Sequence, residues 1–473
     1  MRKRLQKWLW QKINYPLSLK TILCFLGSML IFLSSCVTRP SNLFHPTNPP
    51  LGFDYQAVKT KKELSPPEFK AKTKYLTLRQ ALALALINNP ELQAFSYEIR
   101  AQEARAIQAG LIANPEISVE MENIYGQGPF RKFEAAETTI QLSQLVELGR
   151  KPAKRKKIAL IESDLKSWDY EAKRIEVLSQ VTKAFIAVLS AQERLNITQE
   201  LVNLTRQFRD SVAARVQAGK VSPVELTRAD ISVAFAEVQM SKAKKLLEAA
   251  RQKLAATWGS FSPDFNQVVG RLYSVIEPPP LNKLVGYLQR HPELARWKAE
   301  RALREARLSL AKAGLIPDVM ISGGIRYFQE TNDRAYVLNL SFPLPIFNRQ
   351  QGTIRVARYY LEKTDLDEKA ILLHFQTKLK ETYRLLQAYH HQVITLQKTV
   401  IPAAQNAFEA IKEGYQQGKF SFLDVLDAQR TLVEAKIQYI ESLGAYHQTV
   451  AEIEKLINGP LTTSQEKNKE KVK

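Results

Sequence analysis

The sequence is poor in cysteine, since its 473 residues include only Cys24 and Cys36. Both lie in or beside an apolar run near the N-terminus, so the rest of the chain offers no thiol for a disulfide, a thiolate metal site or a nucleophile. The sequence also lacks a nucleotide-binding loop, a catalytic triad and a paired general acid and base. We therefore predict that the protein is not an enzyme and has no cofactor.

Metal-ligand patterns are absent as well. The six histidines form no set with cysteines or carboxylates at ligand spacing. Adjacent His390 and His391 would point about 100° apart on a helix, which favours surface or interhelical roles. The sequence thus predicts no metal-binding site.

The N-terminus has the features of an export signal. A basic segment (residues 2–20) precedes an apolar run (residues 21–33) that is too short to span a bilayer. The string Leu-Ser-Ser-Cys at residues 33–36 resembles the bacterial lipobox, which implies cleavage before Cys36 and acylation of that cysteine. No aspartate follows Cys36, so outer-membrane sorting is expected. An ordinary signal peptide with an incidental cysteine is the alternative.

The chain carries a formal charge of +21, of which +15 remains beyond the first 35 residues. In a cytosolic protein this excess would suggest a nucleic-acid partner, but an exported protein meets none. The densest cationic run consists of Arg150, Lys151, Lys154, Arg155, Lys156 and Lys157. It is either the solvated start of a helix or a belt that faces anionic lipid or a partner.

The chain contains a duplication. Asn-Pro-Glu-Leu at 89–92 returns as His-Pro-Glu-Leu at 291–294, Ala-Gly-Leu-Ile at 109–112 returns at 313–316, and Gly-Lys-Val-Ser at 219–222 returns as Gly-Lys-Phe-Ser at 418–421. The nearly constant offsets of 202, 204 and 199 residues indicate one repeated unit of about 200 residues. Each unit is predicted to contain a helix, a strand pair, a long helix, a tight turn and a further helix.

These features divide the chain into six predicted segments. They are a lipoprotein signal peptide (1–35), a lipid anchor with a proline-rich tether (36–75), a first repeat (76–260), a linker (261–283), a second repeat (284–459) and a polar C-terminal tail (460–473). Proline stiffens and extends the tether. Three consecutive prolines, at 278–280, mark the linker.

Four stretches alternate apolar and polar residues as two-faced strands do. They are residues 116–122, 138–148, 319–327 and 336–342. Their lengths suit a tilted membrane barrel, but a barrel needs about eight strands to close and cannot leave an open edge in hydrocarbon. The chain must therefore oligomerise to complete a barrel, or else cover a water-soluble sheet with helices.

The predicted helices are unusually long. Residues 153–218 contain neither glycine nor proline, and a continuous helix of that length would extend about 100 Å. Apolar residues recur every three or four positions, which favours packing along another helix. Gly219 and Gly418 then suit helix C-termini, and Ser222 and Ser421 each precede a carboxylate by three residues, as in a capping box. Each repeat is thus predicted to end in a helical hairpin tip.

The two tips, the repeated frame and the early Asn-Pro-Glu-Leu resemble the TolC-type outer-membrane efflux family, from about Leu76 to Leu456. Residues 142–151 are also similar to the Glu-Leu-Gly-Gly-Lys-Arg pattern of its heavy-metal, CzcC-like branch. Two positions depart from that pattern, since Arg150 replaces the second glycine and Pro152 replaces the arginine.

The resemblance implies an α+β membrane protein with four transmembrane strands per chain. Three chains would form a twelve-stranded barrel continuous with a periplasmic α-helical barrel. This homotrimer would be the passive exit channel of a tripartite efflux system of the resistance-nodulation-division (RND) type. Its partners would be a periplasmic membrane-fusion adaptor, an inner-membrane pump and outer-membrane lipid. The alternatives are a periplasmic adaptor, which usually carries one hairpin rather than two, and a structural coiled-coil lipoprotein.

The resemblance also assigns roles to the tips. Adaptor docking maps onto Gly219, Lys220, Val221, Ser222, Gly418, Lys419, Phe420 and Ser421. The pore constriction maps onto Asp424 and Asp427, whose spacing of three places both carboxylates on one helix face. The alternative is that Asp424 is only a helix cap and Asp427 a solvated surface residue. Glu225 of the first tip is expected to be structural.

Overall fold

The computed structural model describes residues 74–461. The predicted signal peptide, Cys36, the tether up to residue 73 and the tail from residue 462 lie outside the described residues. The predictions made for those segments remain predictions.

The first repeat combines two short helices, a β-hairpin and a long helical hairpin. Its elements are β1 (Tyr75–Thr77), α1 (Leu78–Asn88), α2 (Pro90–Ala109), β2 (Glu116–Glu122), β3 (Glu137–Val146), α3 (Lys151–Gln217) and α4 (Pro223–Ala256). Thr77 starts α1 with a capping box that it shares with Gln80. Asn89 starts α2 by accepting the N–H of Leu92, with Pro90 in the first turn. The repeated Asn-Pro-Glu-Leu is therefore a helix start.

The second repeat follows the same order. Its elements are α5 (Leu281–Tyr287), α6 (Pro292–Ala295), α7 (Trp297–Ala313), β5 (Val319–Phe328), β6 (Asp333–Ser341), α8 (Gln351–Thr395), α9 (Ile401–Gln416) and α10 (Phe422–Ile457). A π-helical turn, Leu396–Val400, joins α8 to α9 just before Pro402. Proline lacks an N–H and clashes with the carbonyl four residues earlier, and a wider turn at this point accommodates both effects.

The predicted linker contains a strand of its own. β4 (Gln267–Val269) pairs in parallel with β1, so that Leu76 lies opposite Val268. Both side chains are buried in a core with Val177, Val181 and Leu254. The start of the first repeat is thereby tied to the segment that follows it.

The four predicted strands form one antiparallel sheet in the order β2-β3-β5-β6. β2 has the predicted bounds, and the other three strands differ from prediction by one to three residues at their ends. The β3–β5 pairing joins the two repeats, with Ile140 opposite Ile325. Among the described residues the sheet is open, with β2 and β6 as its edges.

The two faces of the sheet differ in polarity. Register places Val119, Ile140, Ile325 and Tyr336 in one row across the four strands, and all four are exposed. The next row is Glu120, Thr139, Arg326 and Ala335, on the opposite face. Arg326 there donates to Thr139 and Glu137. One face is thus apolar and exposed, and the other is polar.

The central helix of the repeats is α3, which spans 67 residues and packs against α2, α4, α7 and α10. The largest core cluster lies between α8 and α10, where Leu379, Leu386, Leu443 and Ile453 are fully buried. Within residues 74–461, no helix has an apolar stretch long enough to cross a bilayer.

The cationic run connects the sheet to the helices. Lys151 binds Asp318 at 2.7 Å, and Lys154 donates to the carbonyl of Ser309 at 3.0 Å. Arg155 forms a bidentate pair with Glu147, and this hydrogen bond holds the pKa of the Glu147 carboxyl below its ordinary value. Because their partners belong to the same chain, these three cations form neither a solvated helix start nor a belt that faces lipid or a partner. They fasten the start of α3 to both repeats.

Candidate functional site

The two helical hairpin tips turn in the same way. Gly219 and Gly418 have φ angles of +65° and +77°, in the left-handed region that glycine adopts cheaply. Lys220 N–H donates to Arg215 O at 2.9 Å, and Lys419 N–H donates to Gly414 O at 2.8 Å. These bonds close both helices with a Schellman motif. The prediction of a left-handed glycine at each tip is confirmed.

The second tip has a complete capping box. Ser421 Oγ accepts the N–H of Asp424 at 3.3 Å, and Asp424 Oδ2 accepts the N–H of Ser421 at 2.8 Å. The Ser421 hydroxyl, and then its backbone N–H, lower the pKa of Asp424. Asp424 and Asp427 are both exposed, one turn apart on α10. Asp424 therefore caps the helix while its carboxylate stays at the surface.

The first tip is capped differently, and the capping box predicted there is wrong. Ser222 Oγ accepts from Val224 N–H at 3.3 Å and not from residue 225. Glu225 instead accepts a hydrogen bond from the hydroxyl of Tyr415, in the second tip, at 3.2 Å. A carboxylate engaged by a tyrosine on another hairpin does not turn back to its own helix start. Glu225 is structural, as expected.

Tyr415 links the two tips, and we call its contacts with Arg215 and Glu225 the tip latch. The Arg215 guanidinium lies 4.4 Å from the centre of the Tyr415 ring and donates to the Tyr415 carbonyl at 3.1 Å. The ring is 3% exposed and lies near Phe208 and Phe422. Burial, followed by the charge of Glu225, raises the pKa of the phenol. The latch combines a cation–π contact, hydrogen bonds and buried aromatic surface.

Sequence reasoning missed Arg215 and Tyr415. The repeat offset aligns Arg215 with Gly414 and Val216 with Tyr415, so the two tips differ at both latch positions. Gly414 leaves room for Phe420, because an added Cβ would lie 2.3 Å from that ring. Comparing the repeats position by position could have found this difference. The contact itself depends on tertiary packing.

The other predicted docking residues form the exposed ends of the tips. Gly219, Lys220, Ser222, Gly418, Lys419, Phe420 and Ser421 are exposed, and Val221 is partly buried. Each tip thus presents one lysine at its turn. The structure brings the tips together through the latch beneath these turns.

Two of the described histidines, His291 and His447, contact backbone groups. His291 Nδ1 accepts the N–H of Glu293 at 3.2 Å, and burial, with the charge of Lys455, lowers the pKa of His291 to about 4. His447 Nε2 lies 2.7 Å from Leu272 O. Within residues 74–461, no three histidine, cysteine or acidic side chains come together as a metal site.

Comparison with known proteins decides the family. The profile of the outer membrane efflux protein family matches residues 81–260 and 285–459, one segment in each repeat. The chain belongs to this family. As an outer membrane efflux protein, it is a transport protein rather than an enzyme, and it is neither of the two alternatives weighed from the sequence.

Individual relatives of this efflux protein agree. The cobalt-zinc-cadmium resistance protein CzcC of Cupriavidus metallidurans is 33% identical over 382 residues, covering 81% of this chain and 90% of the relative. The outer membrane protein TolC of Escherichia coli is 21% identical, with 79% and 80% covered. The similarity to CzcC confirms the heavy-metal branch that the residues around Leu148 indicated, despite Arg150 and Pro152.

Solved structures support the fold. A crystal structure of CusC superimposes with a TM-score of 0.67 at 16% identity, covering 81% of this chain and 92% of CusC. At that identity the likeness concerns the fold alone. The prediction of a TolC-like frame with long helices is confirmed.

Proposed function

We propose that the protein is the homotrimeric outer-membrane exit channel of an RND-type tripartite efflux system. The observation that carries this proposal is the open sheet with one polar and one exposed apolar face. Three copies, paired edge to edge between β2 and β6, supply twelve strands, enough to close a barrel and satisfy every edge. The apolar face would meet lipid, and the polar face would line the lumen.

Exposed helix surfaces support assembly with further copies. Ile231, Phe235 and Val238 of α4 are 51%, 66% and 65% exposed, at spacings of four and three residues. Residues so spaced share one helix face. A stripe of this kind suits the flank of a neighbouring helix. In the trimer we assign this stripe to the interface between chains, where the helices continue the barrel as a periplasmic tunnel.

We assign heavy-metal cations to the channel as its cargo. CzcC is named for resistance to cobalt, zinc and cadmium, and it covers most of this chain. Passive conduction needs no resident metal site, so the roles found for His291 and His447 agree with the assignment. The pump would supply the energy, and a membrane-fusion adaptor would dock at the exposed turns around Lys220 and Lys419.

We place the pore constriction at Asp424 and Asp427. Both carboxylates are exposed on α10, and three chains would bring six of them around one axis. Clustered carboxylates favour cations and repel one another. Asp424 Oδ2 accepts from the N–H and the hydroxyl of Ser421, and these two bonds fix the position of the carboxylate at the tip. The tip latch would hold the hairpins in their resting arrangement.

The test is reconstitution of the full chain in planar bilayers, with the oligomer mass measured on the same preparation. A conducting trimer that is blocked by divalent cations supports the channel. A monomer without conductance contradicts it.

A double substitution tests the constriction. Asp424→Asn with Asp427→Asn removes both charges, while asparagine keeps a capping oxygen at position 424. We expect at least a tenfold weaker cation block. Glu225→Gln is the matched control, because it removes a carboxylate at the tips but keeps an oxygen that can accept the hydrogen bond from Tyr415, so that the latch is retained. It should leave the cation block unchanged. If both variants block like the wild type, the constriction lies elsewhere.

Membrane attachment is a separate part of the proposal. Acylation at Cys36 after removal of residues 1–35, with the tether over 36–75, would anchor each chain in the outer membrane. Intact-mass measurement of the mature protein and of Cys36→Ser tests it, because only the wild type would carry the added acyl mass.

A further inference from the structure

The end of the sheet opposite the long helices carries two very different loops. The β2–β3 loop (residues 123–136) and the β5–β6 loop (residues 329–332) both lie at this end, because the helices enter and leave at the other. The shorter loop reads Gln-Glu-Thr-Asn and contains no aromatic or cationic residue. The longer loop contains three aromatic residues and two adjacent cations. The difference indicates a function for the longer loop alone.

The β2–β3 loop is an ordered structure. Tyr125 N–H donates to Lys132 O at 2.7 Å, and Gly126 N–H donates to Phe130 O at 2.8 Å. The rings of Tyr125 and Phe133 meet edge to face, with centroids 5.0 Å apart. These contacts fix the backbone so that the side chains are displayed at defined positions.

The aromatic side chains of this loop are exposed despite that order. Tyr125, Phe130 and Phe133 are 71%, 44% and 45% exposed. An ordered loop that displays three aromatic rings to solvent leaves apolar surface without a partner. Aromatic rings of this kind are typical of the boundary between membrane and water.

The cations of this region are free to bind a ligand. Arg131 and Lys132 are exposed, and neither forms an ion pair within residues 74–461. By contrast, Arg326, on the polar face of the sheet, is engaged by Glu122 and Glu137. The cations of the loop therefore keep their full attraction for an anion.

The apolar face of the sheet continues to the end that carries these loops, and we call this end the rim of the sheet. Tyr327 pairs with Arg334, one step beyond the Ile325–Tyr336 pair on the same face. The apolar face thus ends in an aromatic residue on β5 and an exposed cation on β6, at the end of the sheet that carries the β2–β3 loop. This arrangement matches the order of a membrane surface, with hydrocarbon below and charged head groups above.

We propose that the β2–β3 loop, with Arg334, binds phosphate-bearing lipid head groups of the outer leaflet. This assignment rests on the proposed function, which places this rim at the outer surface of the outer membrane. The aromatic rings would lie at head-group level, and the cations would contact lipid phosphates. The single ligand is a phosphate-bearing lipid, because its phosphate matches the cations and its head-group boundary matches the aromatic rings.

The experiment measures binding of bisphosphorylated lipid A to the full chain in neutral detergent. Arg131→Gln with Lys132→Gln should weaken binding about 25-fold, from about a fivefold loss for each cation near a lipid surface. Phe130→Ala with Phe133→Ala should weaken it about tenfold. Lys157→Gln, an exposed cation beside the opposite end of the sheet, is the matched control and should bind like the wild type.

Several outcomes would overturn the assignment. These are unchanged affinity in the loop variants, equal binding of dephosphorylated lipid A, or competition by inorganic phosphate alone at the concentrations used for the lipid. An increase in conductance with unchanged lipid affinity would show that the loop covers the channel mouth instead. Bilayer conductance of the same preparation separates the two proposals, since its loss would count against the channel and not against the lipid site.

Discussion

The first and second repeats have different residues at three equivalent positions. Asn89 and His291 start the equivalent helices, Arg150 and Gln350 precede the two long helices that follow the sheet, and Val216 and Tyr415 lie before the tip glycines. In each pair the backbone geometry is shared. The side chains differ in size, in charge or in whether they can gain or lose a proton. Duplication has therefore conserved the turns, while the two copies have diverged in what the turns present.

Each repeat links the start of its helix to its own C-terminal end. Both helix starts are tied to the end of their own repeat through an asparagine, but in opposite directions. Asn89 Nδ2 donates to Thr257 O at 2.8 Å, and Asn458 Nδ2 donates to Arg290 O at 3.3 Å. In the first repeat the donor is thus at the helix start, and in the second repeat it is at the end of the repeat. This difference leaves the connection within each repeat intact. The tips differ more, because their side chains contact each other.

Replacing Tyr415 should produce the largest effect. Tyr415→Ala removes a buried ring, the cation–π contact and the bond to Glu225, and should cost about 3–5 kcal/mol of local stability. Val216→Ala, at the matched position of the first tip, should cost about 1 kcal/mol because that side chain is only partly buried. Hydrogen exchange at the tip amides measures both values. Equal protection in the two variants would contradict the assigned asymmetry.

Replacing His291 should abolish a pH dependence of about 3 kcal/mol. The unfolded histidine has a pKa near 6.5, and the folded one near 4. Between these values the unfolded state binds a proton that the folded state does not, so stability falls as the pH is lowered from 6.5 to 4. Protonation would also remove the Nδ1 acceptor that caps α6. His291→Asn copies the first repeat, and its thermal midpoint should change less over this range. An unchanged acid profile would contradict the prediction.

Replacing Arg150 should give the smallest effect, and in the stabilising direction. Arg150 and Gln350 have φ angles of 57° and 55°, which cost non-glycine residues about 1 kcal/mol or more. Glycine relieves this strain but loses more entropy on folding, so Arg150→Gly and Gln350→Gly should each gain about 0.5 kcal/mol. Thermal midpoints measure the gain. Lys157→Gly, inside α3, should instead lose about 1 kcal/mol. A loss at position 150 would mean that Arg150 has a function of its own.

The sequence was sufficient for the features that depend on local chemistry. The alternation of apolar and polar residues predicted both ends of β2 correctly. The absence of glycine and proline predicted both ends of α3 to within two residues. The left-handed Gly219 and Gly418 followed from capping rules. Each of these features is set by backbone sterics and by neighbouring residues.

Features that depend on residues far apart in the chain could not be predicted from the sequence in this way. The capping box expected at Ser222 is absent because Glu225 binds Tyr415, which lies 190 positions away in the chain. The cationic run was predicted to face solvent, anionic lipid or a partner, because its own contacts, Asp318 and Ser309, belong to the other repeat. Tertiary contacts, which the local sequence does not show, decided both cases. Arg150, which departs from the family pattern, lies at a position with a left-handed φ of 57°.

The pairing of β3 with β5 has a consequence for the kinetics of assembly. These strands come from different repeats but belong to one chain, so their association is unimolecular and independent of protein concentration. The covalent connection gives the two hairpins an effective concentration of millimolar order for short flexible linkers, and less for longer ones. In the proposed trimer, the free edges of β2 and β6 would have no such connection to the edges of other chains, and would meet them by diffusion. Formation of the four-stranded sheet within one chain should therefore follow first-order kinetics. Closure of the proposed barrel by three chains should follow a higher order and slow steeply on dilution.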